Sequence, residues 1–233
     1  MEWPREAFSE TLFPSLSHPA PEPIPILADS QPSWTILDKS SANSLQQQMD
    51  KLVSNHSNSR DLNTLPSSIT FDQSNGPVII EQSAIVEPST HFIGPCYIGN
   101  EAVIRHGAYV REYSWICSTA VVGHASEVKH SILLPGAKAP HFNYVGDSIL
   151  GKEVNLGAGV KLSNLRNDGA EVYLRIGDDR RPSGLRKFGA ILGEGCQLGC
   201  NAVTNPGTVL GINSIVWPNV TVTGIHDQSS TLR

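Results

Sequence analysis

From Ile80 onward the chain keeps a bulky apolar residue at every sixth position: Val86, Phe92, Ile98, Ile104, Val110, Ile116, Val122 and Val128 follow without a miss. A helix repeats every 3.6 residues and a single strand every two, so neither element alone explains this period. After a step of five come Leu133, Ala139 and Val145, and after another step of five Leu150, Leu156 and Leu162. A third run, Leu192, Leu198, Thr204, Leu210, Val216 and Val222, has only Thr204 out of type, and small residues such as Ala84, Ala102, Ala108 and Ser114 stand four places after an aliphatic. The pattern predicts an all-β parallel β-helix, in which three short strands form a triangular coil and stacking buries what one coil cannot. It predicts roughly seven coils of about eighteen residues. Gly99, Gly123, Gly151 and Gly199, each directly after an aliphatic, are expected at corners that need freedom in φ.

Ahead of this ruler the composition changes. Seven of the sixteen prolines fall within the first 32 residues, and "HPAPEPIPILADSQP" is expected to be extended or disordered, because proline removes the backbone donor. In "SANSLQQQMDKLVSN", Leu45, Met49, Leu52 and Val53 lie at helical spacing behind serines suited to capping. That predicts one short amphipathic helix over about 41–54, able to dock on a neighbour. The expected organisation is an N-terminal extension over 1–75, a β-helix over 76–226 with a loop at 163–190, and a tail over 227–233.

A length of 233 residues with 39% hydrophobic content allows a real core. The net charge of −5, with no Lys/Arg cluster interleaved with aromatics, argues against a nucleic-acid partner. No apolar run approaches the length of a membrane span, and the start "MEWPREAFSETLFPSLSHP" lacks the basic end and apolar stretch of a signal peptide. A cytoplasmic location with no membrane partner is expected. The four cysteines form no disulfide framework, and Cys196 and Cys200, though four apart, fall at different repeat positions, which argues against a metal pair.

In a regular prism, chemistry is expected where the count slips or a loop leaves the coil. Two stretches qualify: 128–150, between the five-residue steps, and 163–190, too long and polar to be another strand and so read as a projecting arm. His141 stands two places after Ala139, and His106 and His124 hold the same place after Ile104 and Val122, so the three form an outward column one coil apart. Three readings are open: exposed polar positions, a zinc site of the kind hexapeptide-repeat carbonic anhydrases build, or a single catalytic histidine.

Around His141 the chain resembles a known family. Glu127-Val128-Lys129, then Lys138-Ala139-Pro140-His141-Phe142-Asn143-Tyr144-Val145-Gly146-Asp147, then Val154-Asn155-Leu156-Gly157-Ala158-Gly159, and Asn164 are similar to the acetyltransferase domain of the bifunctional bacterial enzymes that acetylate and uridylylate glucosamine 1-phosphate. The similarity covers about 76–222. It implies a left-handed coil, a homotrimer with sites between subunits, and acetyl-CoA as co-substrate. By the same resemblance His141 is the general base and Asn164 helps to orient amine and thioester. Arg111, Lys129, Tyr144 and Asn155 hold the sugar phosphate, and Ala158 meets coenzyme A. The residue types suit that chemistry: a histidine with a reference pKa near 6.5 can take a proton from an attacking amine. Arg111 and Lys129 can neutralise a phosphate. No metal is expected to be required.

The chain also departs from the family. Residues 170–186 are extra, so Lys187 is taken as the loop lysine, with Arg186 or Arg181 able to replace it; Cys200 stands where the family has a serine near coenzyme A; and the chain ends at Arg233, before another coenzyme contact. Residues 1–75 carry no glycine-rich nucleotide-binding loop, so nucleotidyl transfer is not expected of them. They read either as the remnant of that domain or as a strap in the trimer. The expected function is N-acetyl transfer to an amino-sugar phosphate such as glucosamine 1-phosphate, in the supply of nucleotide-sugar precursors. The alternatives are a non-catalytic sugar-nucleotide-binding or scaffold homologue, and a hexapeptide-repeat zinc hydratase.

Overall fold

Strand by strand, the sixfold apolar column becomes the inside of a triangular prism. The computed structural model of the chain describes residues 2–18, 22–57 and 59–233. Three faces of eight parallel strands each, from Thr70–Asp72 to Thr231–Leu232, wind as a left-handed β-helix. One turn runs Glu127–Lys129 on the first face, Ile132–Leu133 on the second and Lys138–His141 on the third, and Tyr144–Gly146 then returns beside the strand where it began. Val110, Val128, Val145 and Leu162 align on the first face, and Ile116, Leu133, Leu150 and Leu192 on the second. All of these are buried in one continuous core.

The coil count therefore exceeds the expected seven. The missed coils lie at the ends, where the ruler is irregular: Phe71 stacks on Phe92 at 5.4 Å but precedes Ile80 by nine residues, and Leu232 follows Val222 by ten. The two five-residue steps are shortened corners, with His130 at φ 45° and Asp147 at φ 47°. A second correction concerns the glycines. Gly99, Gly151 and Gly199 are not in the left-handed region; a Cβ on them would lie 2.8 Å from Ser118 N, 2.7 Å from Glu194 N and 2.5 Å from Pro218 N. Close approach of the next coil excludes a side chain there, not a need for unusual φ.

The second face is apolar on both sides. Its outward residues, including Ile79, Tyr97, Trp115, Ile132, Ile149 and Ile191, are buried in a separate cluster with Ala7, Leu12, Phe13, Trp34, Leu37, Leu45 and Met49. The N-terminal segment is thus a folded cover; within its proline-rich run residues 23–28 form no helix or strand, and Pro19, Ala20 and Pro21 lie outside the described residues. The cover contains α1 (Ser9–Leu12) and α2 (Leu45–Asn55), the latter capped by the Ser44 hydroxyl accepting from the Gln47 N–H. Glu22 accepts from the Ser118 N–H at 2.8 Å, fastening the segment to a corner of the prism.

The arm leaves the coil after the strand Lys161–Leu162 and forms an antiparallel hairpin, Tyr173–Ile176 with Asp179–Pro182. It is folded back: Val172, Leu174, Leu185 and Phe188 are buried in the same cluster. Phe188 stacks on Trp34 at 5.5 Å, and Arg181 lies over the Trp3 ring at 5.1 Å. Among the described residues, no helix is long and apolar enough to cross a membrane.

Candidate active site

On the first face, inward valines and leucines alternate with two outward rows, most of them half-buried or buried, as a strand's pleat requires. One row runs Tyr109, Glu127, Tyr144, Lys161, and the other places Arg111 beside Lys129 and Lys129 beside Gly146. The missing side chain at Gly146 leaves a gap that Tyr144 and Asn164 enter. A Cβ there would sit 2.7 Å from both the Tyr144 hydroxyl and the Asn164 Nδ2.

Behind this gap lies Asp147, which is buried. Its Oδ1 faces His130 Nδ1 at 2.8 Å, and its Oδ2 accepts from Asn164 Nδ2 at 2.5 Å and faces Lys129 Nζ at 3.5 Å. Burial pushes the Asp147 carboxyl up, but the hydrogen bond and charge of His130, the Lys129 ammonium and the Asn164 amide outweigh it and hold it below its usual range. Burial, with the charges of Glu127 and Asp147, raises the Tyr144 phenol. Arg111 lies in the adjoining coil, donating to Glu127 Oε1 at 2.9 Å and facing Glu112 Oε1 at 3.5 Å, while its Nε is buried without a partner. Both candidate phosphate cations therefore carry carboxylate neighbours.

The corner between the third and first faces gathers a second group. His141, Ala158 and Cys200 each stand two places after an aligned inward residue, in successive coils. The His141 carbonyl accepts from Gly159 N–H at 2.9 Å, and the Ala158 carbonyl from Asn201 N–H at 2.8 Å. His141 and Cys200 are exposed and Ala158 is half-buried. Asn155 lies on the third face, paired in register with Lys138 and Gln197. Lys187 is exposed at the base of the arm, bridged to Leu165. The structure thus unites Lys129, Tyr144 and Asn164 around Asp147 and stacks His141 with Ala158 and Cys200. Among the described residues, no hydrogen bond or ion pair joins the His141 ring to the first group.

In the histidine column, His106 and His124 stack rather than converge through their ring nitrogens. His106 and His124 lie 5.5 Å apart at 16°, His124 Nδ1 is 2.8 Å from the His106 carbonyl oxygen, and Phe142 meets His124 edge-on at 5.3 Å. Among the described residues, no group of three or more His, Cys, Asp or Glu could hold a metal ion. Burial pushes the Cys196 thiol up to about 12, so it is not a thiolate at neutral pH.

Sequence reasoning assigned no role to His130, Asp147 or Asn143. The signal for the first two was present: both fall in the shortened steps. A cavity of about 370 Å³ beside Asn164 is lined by Ser163, Leu165, Arg166, Asn167, Asp168, Asn205 and Pro206. A larger one of about 660 Å³ lies within the N-terminal cover, among residues such as Phe13, Glu22 and Leu27, and contains none of these candidates.

The family profile described as "GMPPB C-terminal domain" matches residues 92–226. The chain belongs to the GMPPB C-terminal domain family. The matched span of this GMPPB C-terminal domain includes both groups of candidate residues. It is 34% identical over 147 residues to a bifunctional sugar-1-phosphate nucleotidylyltransferase/acetyltransferase of Sulfurisphaera tokodaii, covering 63% of this chain and 37% of that protein. It is 39% identical over 138 residues to the bifunctional protein GlmU of Methanocaldococcus jannaschii, covering 59% and 34%. The GMPPB C-terminal domain chain thus matches little more than a third of these relatives' length, and the resemblance drawn from its motifs is borne out. A solved structure of AntD, an N-acyltransferase from Bacillus cereus, aligns with 13% identity and a TM-score of 0.34, covering 76% of this chain and 86% of that one.

Proposed function

We propose that the protein is an N-acyltransferase that moves acetyl from acetyl-CoA to an amino-sugar phosphate such as glucosamine 1-phosphate. What supports the reading most is the convergence of Lys129, Tyr144 and Asn164 around the Gly146 gap, one corner away from the column of His141, Ala158 and Cys200. Its relatives carry names that join sugar-1-phosphate nucleotidylyl transfer to acetyl transfer, and the similarity lies in the coil of this chain. In this reading Arg111, Lys129, Tyr144, Asn155 and Lys187 bind the sugar phosphate, and Ala158 and Cys200 face the coenzyme. The β-helix, whose strands run from Thr70–Asp72 to Thr231–Leu232, works as a homotrimer in the cytoplasm, with the N-terminal segment as its extension.

The chemistry is an acyl transfer. The acceptor amine attacks the thioester carbonyl, His141 takes the amine's proton, and the tetrahedral oxyanion collapses with loss of the thiolate, which leaves as thiol. Asn164 orients the amine. Purified protein mixed with acetyl-CoA and glucosamine 1-phosphate is expected to release free thiol, and His141→Ala to abolish the release. No release above that of His141→Ala with several hexosamine phosphates would defeat the proposal. Calorimetry showing sugar-nucleotide binding without coenzyme binding would favour a non-catalytic binder.

A further inference from the structure

We propose that Asp147, held in place by His130, is the positioning carboxylate of the acceptor site and fixes how Lys129 and Asn164 present themselves to the substrate. The proposal rests on the reading of this face as the sugar-phosphate site.

A carboxylate can only accept hydrogen bonds, so it dictates what its neighbours turn toward it. Asn164 must direct Nδ2 at Asp147 Oδ2, 2.5 Å away. Its carbonyl Oδ1 is thereby committed to the other direction, where it is an acceptor suited to the N–H of an amine and unsuited to a phosphate oxygen. Lys129 places Nζ 3.5 Å from the same oxygen, which anchors the ammonium while leaving it donors for an anion. One buried atom therefore sorts the two polarities of an amino-sugar phosphate: cation toward phosphate, carbonyl toward amine.

His130 keeps that carboxylate still. It is buried at a shortened corner, and its Nδ1 lies 2.8 Å from Asp147 Oδ1, so Nδ1 carries the proton. Its Nε2 is buried without a partner. An orphaned buried nitrogen costs stability, so a histidine here is a poor choice for packing alone. An asparagine would supply the same donor in nearly the same place without the ring.

That comparison is the test. Calorimetry measures binding of glucosamine 1-phosphate without coenzyme, and steady-state kinetics separates KM for the two substrates. His130→Leu is expected to weaken sugar-phosphate binding about tenfold, the scale of a lost hydrogen bond to a charged group, while KM for acetyl-CoA stays within about twofold. His130→Asn, which keeps a donor toward Asp147 Oδ1, is expected to restore binding to within about threefold. Wild-type binding in His130→Leu, or equal losses in His130→Leu and His130→Asn, overturns the proposal. If His130→Leu does not fold, Asp147→Asn decides. An amide no longer imposes the orientation of Asn164, so a similar loss is expected, and unchanged or tighter binding overturns the idea. Wild-type protein that binds the sugar phosphate but releases no thiol defeats acyl transfer and leaves positioning supported by binding; wild type that does not bind it overturns both.

Discussion

The backbone N–H of His141 donates to Asn143 Oδ1 at 2.9 Å, so the candidate base projects from a corner held by the side chain two places on. The same amide donates from Nδ2 to the Gly157 carbonyl at 2.8 Å, tying that corner to the next coil, while Phe142 between them takes a φ of 53°. A bulky aromatic is disfavoured in the left-handed region, so the corner depends on these bonds. Asn143→Ala is expected to cost about 1–3 kcal/mol, because it leaves the His141 N–H without a partner, while the Gly157 carbonyl keeps the Val160 N–H. Asn143→Asp keeps the acceptor but turns a carboxylate toward the Gly157 carbonyl, so it should not rescue. Urea denaturation of both variants checks this, and wild-type stability in either would refute it.

The Asp147 carboxyl is held below its usual range in the folded protein. A depressed carboxyl contributes stability that is present above the unfolded-state pKa, near 3.9, and is lost as pH falls through the lower folded value. The stability advantage of wild type over Asp147→Asn should therefore be constant from about pH 7 to about pH 5 and shrink below about pH 4. Paired thermal melts across that range measure it, and an advantage that grows on acidification contradicts the assignment.

Thr204 points into the prism between Leu162 and Val222, and its Oγ1 is buried without a partner. Valine has nearly the same shape and no hydroxyl to desolvate. Thr204→Val should stabilise the protein by about 1–2 kcal/mol and raise the melting temperature by about 2–8 °C. A lower melting temperature would show that the hydroxyl has a partner.

Trp34 joins the N-terminal cover to the site. It stacks on Phe188, whose N–H donates to the Asn164 carbonyl at 2.9 Å, and the next N–H, that of Gly189, donates to the Asp147 carbonyl at 2.8 Å. Removing a buried indole costs about 3–5 kcal/mol. Trp34→Ala should make the arm over 165–188 a preferred site of proteolysis and weaken sugar-phosphate binding, while the β-sheet circular dichroism persists. An arm as resistant as in wild type would sever the proposed link.

The inward column was open to reading because one side chain in six must be apolar wherever a coil stacks on its neighbour, and that demand is local in sequence. The same logic applied to the second face, where Ile79-Ile80, Tyr97-Ile98, Trp115-Ile116, Ile132-Leu133 and Ile149-Leu150 are apolar at both positions. Such doublets belong to a parallel sheet buried on both sides, and they mark the face that the N-terminal segment covers. The row positions of Arg111, Lys129 and Tyr144 followed from the repeat length. What only the tertiary structure decided is which polar atoms meet: His130, Lys129 and Asn164 lie 17 or 18 residues from Asp147 and touch it only because shortened corners stack. Periodicity fixes which face a side chain occupies, whereas hydrogen-bond partners depend on coil-to-coil register and on corner geometry, which no single hexad contains.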